Sequence, residues 1–225
     1  MKKSISFGRG VIGQAMAGLG IALCVSTSSF AFAASDVTET RDVQAFHSIR
    51  VAGGIELRVK VGNSQKLDIT ADEEFMQHVE TEVRDGILII DTEEDDDRSW
   101  YESDQSVTVR ISMPELQLLD IRGAVDGEID GIDAEKLVID IRGAAGIDLD
   151  GKCGELELEI AGAAAVDAED LECKNVDVSL RGTGYATVYA SEKVDADLRG
   201  VGVINIEGDP KIVKQSVRGI GVIND

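Results

Sequence analysis

The stretch Leu137–Gly143, LVIDIRG, decides the fold, because the same phrase returns as LELEIAG at 156–162, VDVSLRG at 176–182 and VDADLRG at 194–200. The closing glycines and their equivalents are Gly123, Gly143, Gly162, Gly182, Gly200 and Gly219, at intervals of 20, 19, 20, 18 and 19 residues. Apolar residues alternate with polar ones before each glycine, which is typical of a strand with one buried face. A second short alternation follows each glycine, so each unit holds at least two strands.

No unit carries a helical pattern, so leucine-rich and helical solenoids are disfavoured. We predict an all-β protein: a right-handed parallel β-helix, or solenoid, of about 19-residue coils stacked about 4.8 Å apart. A left-handed hexapeptide helix fits less well, because the interval drifts and no six-residue period is visible. A β-sandwich of hairpins is the remaining alternative. Aromatic residues make up only 4% of the chain, which indicates a core of Val, Ile, Leu and Ala.

The first 33 residues have the features of a secretory signal peptide: basic residues, an apolar segment and Ala31-Phe32-Ala33. Cleavage after Ala33 leaves 19 basic and 43 acidic residues, a net charge of −24. A membrane anchor would need a more apolar stretch, and Leu23 before Cys24 disfavours a lipoprotein. We therefore expect an exported protein, periplasmic, cell-surface or extracellular, with no membrane span after cleavage. Its acidity disfavours nucleic acid as a partner.

We expect a linker at 34–43 and one domain at 44–225. Within it, 44–113 contains strands, a hairpin that turns at Asp85-Gly86 and an acidic loop, and it is predicted to start or cap the solenoid. Residues 114–225 form the repeat coils. Cys153 and Cys173 each lie nine residues before a closing glycine, so they occupy the same place in adjacent coils. At that spacing, in an oxidising compartment, we predict that they form a disulfide, although two buried thiols would also fit.

The outward positions of the repeated phrase carry charges of opposite sign in two predicted columns. These are Arg122, Arg142, Arg181, Arg199 and Arg218 one residue before the glycine, and Asp120, Asp140, Glu159 and Asp197 three residues before it. Such columns could bind an acidic sugar or serve a polysaccharide lyase, but neutralisation of stacked like charges explains them more simply.

The segment TEEDDDRSWYESDQS at 92–106 interrupts the alternation. Its acids could collect calcium, yet they lack the spacing of a calcium loop, so a solvated loop is the preferred interpretation. Trp100 and Tyr101 form a candidate binding loop, because exposed aromatic rings can stack on sugars or anchor a partner. They could equally pack against the body of the domain.

The order of segments, F-x-S-I-x-V-x-G-G-I-E-L-R-V from Phe46, then DGILII, then RGVGVINIEGDP and RGIGVIND, resembles the autotransporter-adhesin head GIN domain family. The resemblance spans about Val43 to Asp225. It implies a secreted or envelope-associated right-handed β-helical domain with an adhesive role and no established catalytic residues.

The sequence has none of the usual nucleophile, zinc-protease or phosphate-loop motifs, and His47 and His78 lie outside the repeats. We predict no catalytic residue, cofactor or metal. The preferred function is a non-enzymatic exported module that binds carbohydrate or a surface or envelope protein. The alternative is a polysaccharide lyase or hydrolase on the same scaffold.

Overall fold

The computed structural model describes residues 36–92 and 106–225. The predicted signal peptide and the candidate loop with Trp100 and Tyr101 therefore lie outside the described residues. The strands are β1 Asp36–Thr40, β2 Ser48–Val61, β3 Lys66–Asp72, β4 Glu80–Arg84, β5 Ile87–Asp91, β6 Thr108–Met113, β7 Leu118–Glu207 and β8 Ile212–Asn224. A single turn of 3-10 helix covers Met76–His78. Strand β1 lies within the segment predicted as a linker.

The strands form one mixed sheet that curls into an open half-barrel. Six strands follow the order β1-β3-β6-β2-β5-β4, and β7 pairs with β2 and with β8. Strand β2 runs parallel to β5, β6 and β7, and β7 runs parallel to β8. The pairs β1–β3, β3–β6 and β4–β5 are antiparallel.

The predicted right-handed parallel β-helix, a solenoid of repeat coils, is therefore wrong. Three of the strand pairs are antiparallel, so the sheet is mixed rather than parallel throughout. Strand β2 of the N-terminal segment lies inside the sheet, paired with the first part of β7 on one edge and with β5 and β6 on the other. Alternation and glycine spacing fix which face of a strand is buried, but they do not fix the direction of the strand beside it.

The hairpin prediction is confirmed. Asp85 and Gly86 have φ values of 53° and 75°, and Arg84 pairs with Ile87 across the turn. Positive φ at both central residues is the mark of a type I′ turn, which suits the twist of an antiparallel pair.

Close contact between neighbouring backbones requires glycine at the closing positions and at their equivalent on β2, Gly53. We call these residues the glycine row: Gly53, Gly123, Gly143, Gly162, Gly182, Gly200 and Gly219. A Cβ atom on Gly143 would lie 2.1 Å from the carbonyl oxygen of Gly123, and a Cβ atom on Gly162 would lie 2.1 Å from that of Gly143. Gly143 also has a φ of +150°, which side chains rarely adopt. Stretches of β7 that are 18 to 20 residues apart thus lie side by side at these glycines.

The core is built from the alternating Val, Ile, Leu and Ala residues on the inner face. Ile121, Ile139 and Ile141 are fully buried, as are many of their equivalents along β7. A disulfide joins the predicted pair Cys153 and Cys173, whose Cα atoms are 4.5 Å apart. It crosslinks two neighbouring stretches of β7 beneath the surface, since both cysteines are buried.

Candidate binding surface

An uncharged strip runs across the outer face of β7 and β8 beside the glycine row. We call it the neutral strip: Ala144, Gly146, Ala163, Ala165, Thr183, Tyr185, Val201, Val203, Ile220 and Val222, one and three residues after successive glycines. These side chains face outward because the residues between and beside them, such as Ala145 and Ile147, face the core. In a chain with a net charge of −21, ten uncharged residues at corresponding outward positions form a distinct surface.

One half of this surface is a shallow groove of about 730 Å³. Ala144, Ala163 and Thr183 on β7 line most of it, and at its β2 end it is lined by Gly54, Ala124 and two carboxylates, Glu56 on β2 and its strand partner Asp126 on β7. The small side chains among these leave the backbone close to solvent, so a long ligand could approach the sheet there without displacing any bulky group.

The other half carries larger side chains, beginning with Tyr185. This residue is 42% exposed, and its hydroxyl accepts hydrogen bonds from Asn205 Nδ2 at 2.6 Å and from Thr187 Oγ1 at 2.8 Å. Asn224 Nδ2 donates in turn to Asn205 Oδ1 at 2.8 Å. Since both contacts to Tyr185 use its oxygen as acceptor, the phenolic proton remains available as a donor. We call these four residues the polar ladder.

Three arginines of the predicted charge columns are ion-paired with the acid two residues earlier on β7, whereas Arg181 and Arg218 make no ion pair within the described residues. Arg122 donates to Asp120 at 3.0 Å, Arg142 to Asp140 at 2.5 Å, and Arg199 to Asp197 at 2.9 Å. The hydrogen bond from Arg199 lowers the pKa of Asp197, and the charges of Arg218 and Arg181 act in the same direction. Glu159 is exposed on the same face. The preferred interpretation of the columns, neutralisation of stacked like charges, stays a prediction.

Asp120 differs from the other acids because it is nearly buried, with 4% of its surface exposed. Arg50 on β2 donates to it at 2.7 Å, in addition to Arg122. Burial alone would raise the pKa of Asp120, but the hydrogen bonds and charges of the two arginines outweigh it, and the pKa lies below its usual value. This arrangement fixes β2 against β7, and both carboxylate oxygens of Asp120 accept hydrogen bonds from arginines.

Sequence reasoning missed Tyr185, Asn205 and Asn224. Their signal was present, since Asn205 and Asn224 each lie five residues after a closing glycine, and Tyr185 is one of only three tyrosines. Over residues 36–92 and 106–225, no group of three or more His, Cys, Asp or Glu side chains could hold a metal ion. In the same ranges no helix has the length and apolar character needed to cross a bilayer.

The comparison with protein families matches residues 45–210 to the family described as "Putative auto-transporter adhesin, head GIN domain". The chain belongs to this family. The resemblance inferred from the sequence is thereby confirmed. Among curated proteins none matches the chain.

Solved structures share the fold of this GIN domain chain. A crystal structure named "a putative adhesin", from Bacteroides fragilis, has a TM-score of 0.69 at 22% identity, covering 85% of this chain and 97% of that one. A second "putative adhesin", from Parabacteroides distasonis, has a TM-score of 0.51 at 16% identity, covering 84% and 96%. At these identities the likeness extends to the fold alone.

Proposed function

We propose that this GIN domain is an exported, non-enzymatic adhesin-like module that binds an uncharged glycan along the groove, with Tyr185 at one end of the ligand. The mature protein begins after Ala33, and residues 44–225 form the binding domain. The observation that carries the proposal is the neutral strip, because it is an uncharged, partly apolar surface on an otherwise strongly acidic protein.

The chemistry of the strip fits a neutral sugar better than a charged one. A sugar ring has an apolar face that packs on an aromatic ring and hydroxyls that need both donors and acceptors. Tyr185 supplies the ring and a hydroxyl proton, and Asn224 at the end of the polar ladder supplies an amide with both functions. The groove beside them has room for further sugar units against Ala144 and Ala163.

The family supports an adhesive role, and its name contains no enzyme activity. Three of the five arginines of the charge columns, Arg122, Arg142 and Arg199, are each hydrogen-bonded to a carboxylate, which disfavours them as the base that takes a proton in a lyase. The other two, Arg181 and Arg218, are exposed, and the assay for lyase products described below tests whether they act as a base.

A glycan array probed with the purified protein tests this proposal. We expect neutral glycans to be bound, and Tyr185→Ala to weaken binding at least about tenfold because both the ring and the hydroxyl are lost. Tyr185→Phe keeps the ring, so binding should weaken about threefold, the cost of one neutral hydrogen bond.

Tyr189→Phe is the matched control, since it removes a hydroxyl from a half-buried tyrosine that lies outside the neutral strip. It should leave binding unchanged. The array is accompanied by an assay for unsaturated sugar products, whose appearance would establish a lyase and contradict the proposal. Binding that survives Tyr185→Ala would also contradict it.

A further inference from the structure

The end of the sheet at β8 is an open edge. Over the described ranges, β8 pairs with β7 and with no other strand, so the backbone groups of its second edge have no strand partner. The same strand carries Ile220, which at 77% is the most exposed large apolar side chain within 36–92 and 106–225, together with exposed Val217 and Val222. Open edges of this kind pair with other strands unless charge or shape prevents it.

We propose that the edge strand β8 pairs antiparallel with β8 of a second copy of this chain, through residues 218–224 and with the two-fold axis at Gly221. The inference is independent of the proposed glycan binding, since it concerns the edge of the sheet and not its outer face.

The distribution of charge favours a second copy of this chain as the partner of β8, and it favours the C-terminal part of β8 as the paired segment. Strand β8 contains Lys214 and Arg218 but no carboxylate, whereas the open edge strands β1 and β4 carry Asp36 and Glu39, and Glu80 and Glu82. Two acidic copies can therefore meet at β8 without opposing acids. Residues 219–224, GIGVIN, have no charge at all, whereas self-pairing centred on Ser216 would place Lys214 opposite Arg218 of the other copy.

The register centred on Gly221 gives each residue a compatible neighbour. Ile220 lies opposite Val222 of the second copy, and Val222 opposite its Ile220, so both exposed apolar side chains gain a cross-strand partner. Ile223 lies opposite Gly219, and Arg218 opposite Asn224. Outward residues meet outward residues in this register, so the neutral strip continues across the pair.

Sedimentation velocity over a range of about 1 µM to about 1 mM protein tests the association. The wild type should pass from monomer to dimer within this range. Val222→Lys places two like charges at the paired edge and should raise the dissociation constant at least about tenfold. A wild type that stays monomeric throughout, or a dimer that Val222→Lys leaves intact, would overturn the proposal.

Val201→Lys is the matched control. Val201 is an exposed, outward-facing valine like Val222, but it lies on β7, paired to Ile220 one strand in from the edge. It should leave the dimer intact. Equal dissociation by both variants would indicate association through the outer face and would overturn edge pairing.

Disulfide trapping tests the register in the chain that begins after Ala33, whose two cysteines are already joined to each other, and it does not depend on the lysine variants folding. Ile220→Cys and Val222→Cys are prepared separately and then mixed under mild oxidation. Because position 220 opposes position 222 across the axis, the mixture should crosslink and neither variant alone should do so. Crosslinking of Val222→Cys alone would place the axis at that residue and would overturn the proposed register.

Discussion

The two ends of β7 carry similar sequence in different surroundings. At the first end, LLDIRG (118–123) lies beside β2, which pairs with it from Ser48↔Leu118 onward and brings Arg50 over Asp120. At the other end, VDADLRG (194–200) pairs with β8, beyond which the described chain offers no further strand. The repeated phrase determines which side chains face inward. The strand alongside determines whether a polar residue is buried and whether the apolar ones are covered.

The largest expected effect comes from the glycine row. Gly143→Ala puts a Cβ atom 2.1 Å from a backbone oxygen in the interior of the sheet, and we expect a loss of at least about 3 kcal/mol in the free energy of unfolding. Gly219→Ala makes an equally close contact, 2.0 Å from Gly200, but on the edge strand, which can shift. We expect about 1 kcal/mol there, measured by urea denaturation.

Gly146→Ala is the control for both, since a Cβ atom on Gly146 meets nothing within 4 Å and the residue lies in the same part of the sheet. Its free energy of unfolding should change by less than about 0.5 kcal/mol. Equal losses for Gly143→Ala and Gly219→Ala would show that the edge is as rigid as the interior.

The second prediction compares the loss of stability on replacing Asp120, at the first end of β7, with that on replacing Asp197, at the other end. Asp120→Asn leaves Arg50 and Arg122 without their buried carboxylate, and we expect a loss of about 2 kcal/mol at pH 7. Asp197→Asn removes an exposed pair that water screens, so the loss should stay below about 0.5 kcal/mol.

The pH dependence of the free energy of unfolding tests whether the charge of Asp120 is what stabilises the fold. Because the pKa of Asp120 is lowered in the folded protein, its stabilisation is complete above the unfolded value of about 4 and disappears as the pH falls through the lower folded value. The free energies of unfolding of wild type and Asp120→Asn should therefore converge below about pH 4. A difference that persists in acid would mean that packing, not charge, makes Asp120 important.

The smallest expected effect is an increase in the free energy of unfolding rather than a loss. Burial raises the pKa of Asp177, and the neighbouring charges of Asp195 and Glu157 raise it further, so its ionised form destabilises the fold. Asp177→Asn should stabilise the protein at pH 7 by up to about 0.5 kcal/mol. The gain should vanish in acid, where Asp177 takes up a proton. Destabilisation at pH 7 in thermal melts would contradict this account.

Much of the local structure was predictable from the sequence. Alternation identified the inward residues of β7, the Asp-Gly pair identified the β4–β5 turn, and equal spacing brought Cys153 and Cys173 together. Each of these depends on a short stretch of chain or on a constant interval. The family was predictable for a similar reason, because its short motifs follow one another in a fixed order.

Sheet topology was not predictable in this way. The antiparallel placement of β3 between β1 and β6 joins segments up to 46 residues apart, and nothing in their alternation specifies direction. The burial of Asp120 likewise depends on Arg50, which is 70 residues away in sequence. The polar ladder escaped prediction because Tyr185 and Asn205 become neighbours only when two stretches of β7 lie side by side.

The disulfide also constrains the order of events when the protein matures. Cys153 and Cys173 retain only 6% and 1% of their surface exposed, and thiol exchange requires a reagent to reach the sulfur. An oxidising enzyme can therefore act on them only before this part of β7 has closed, or during a transient opening. Once the sheet is packed, the same burial protects the crosslink from reductants.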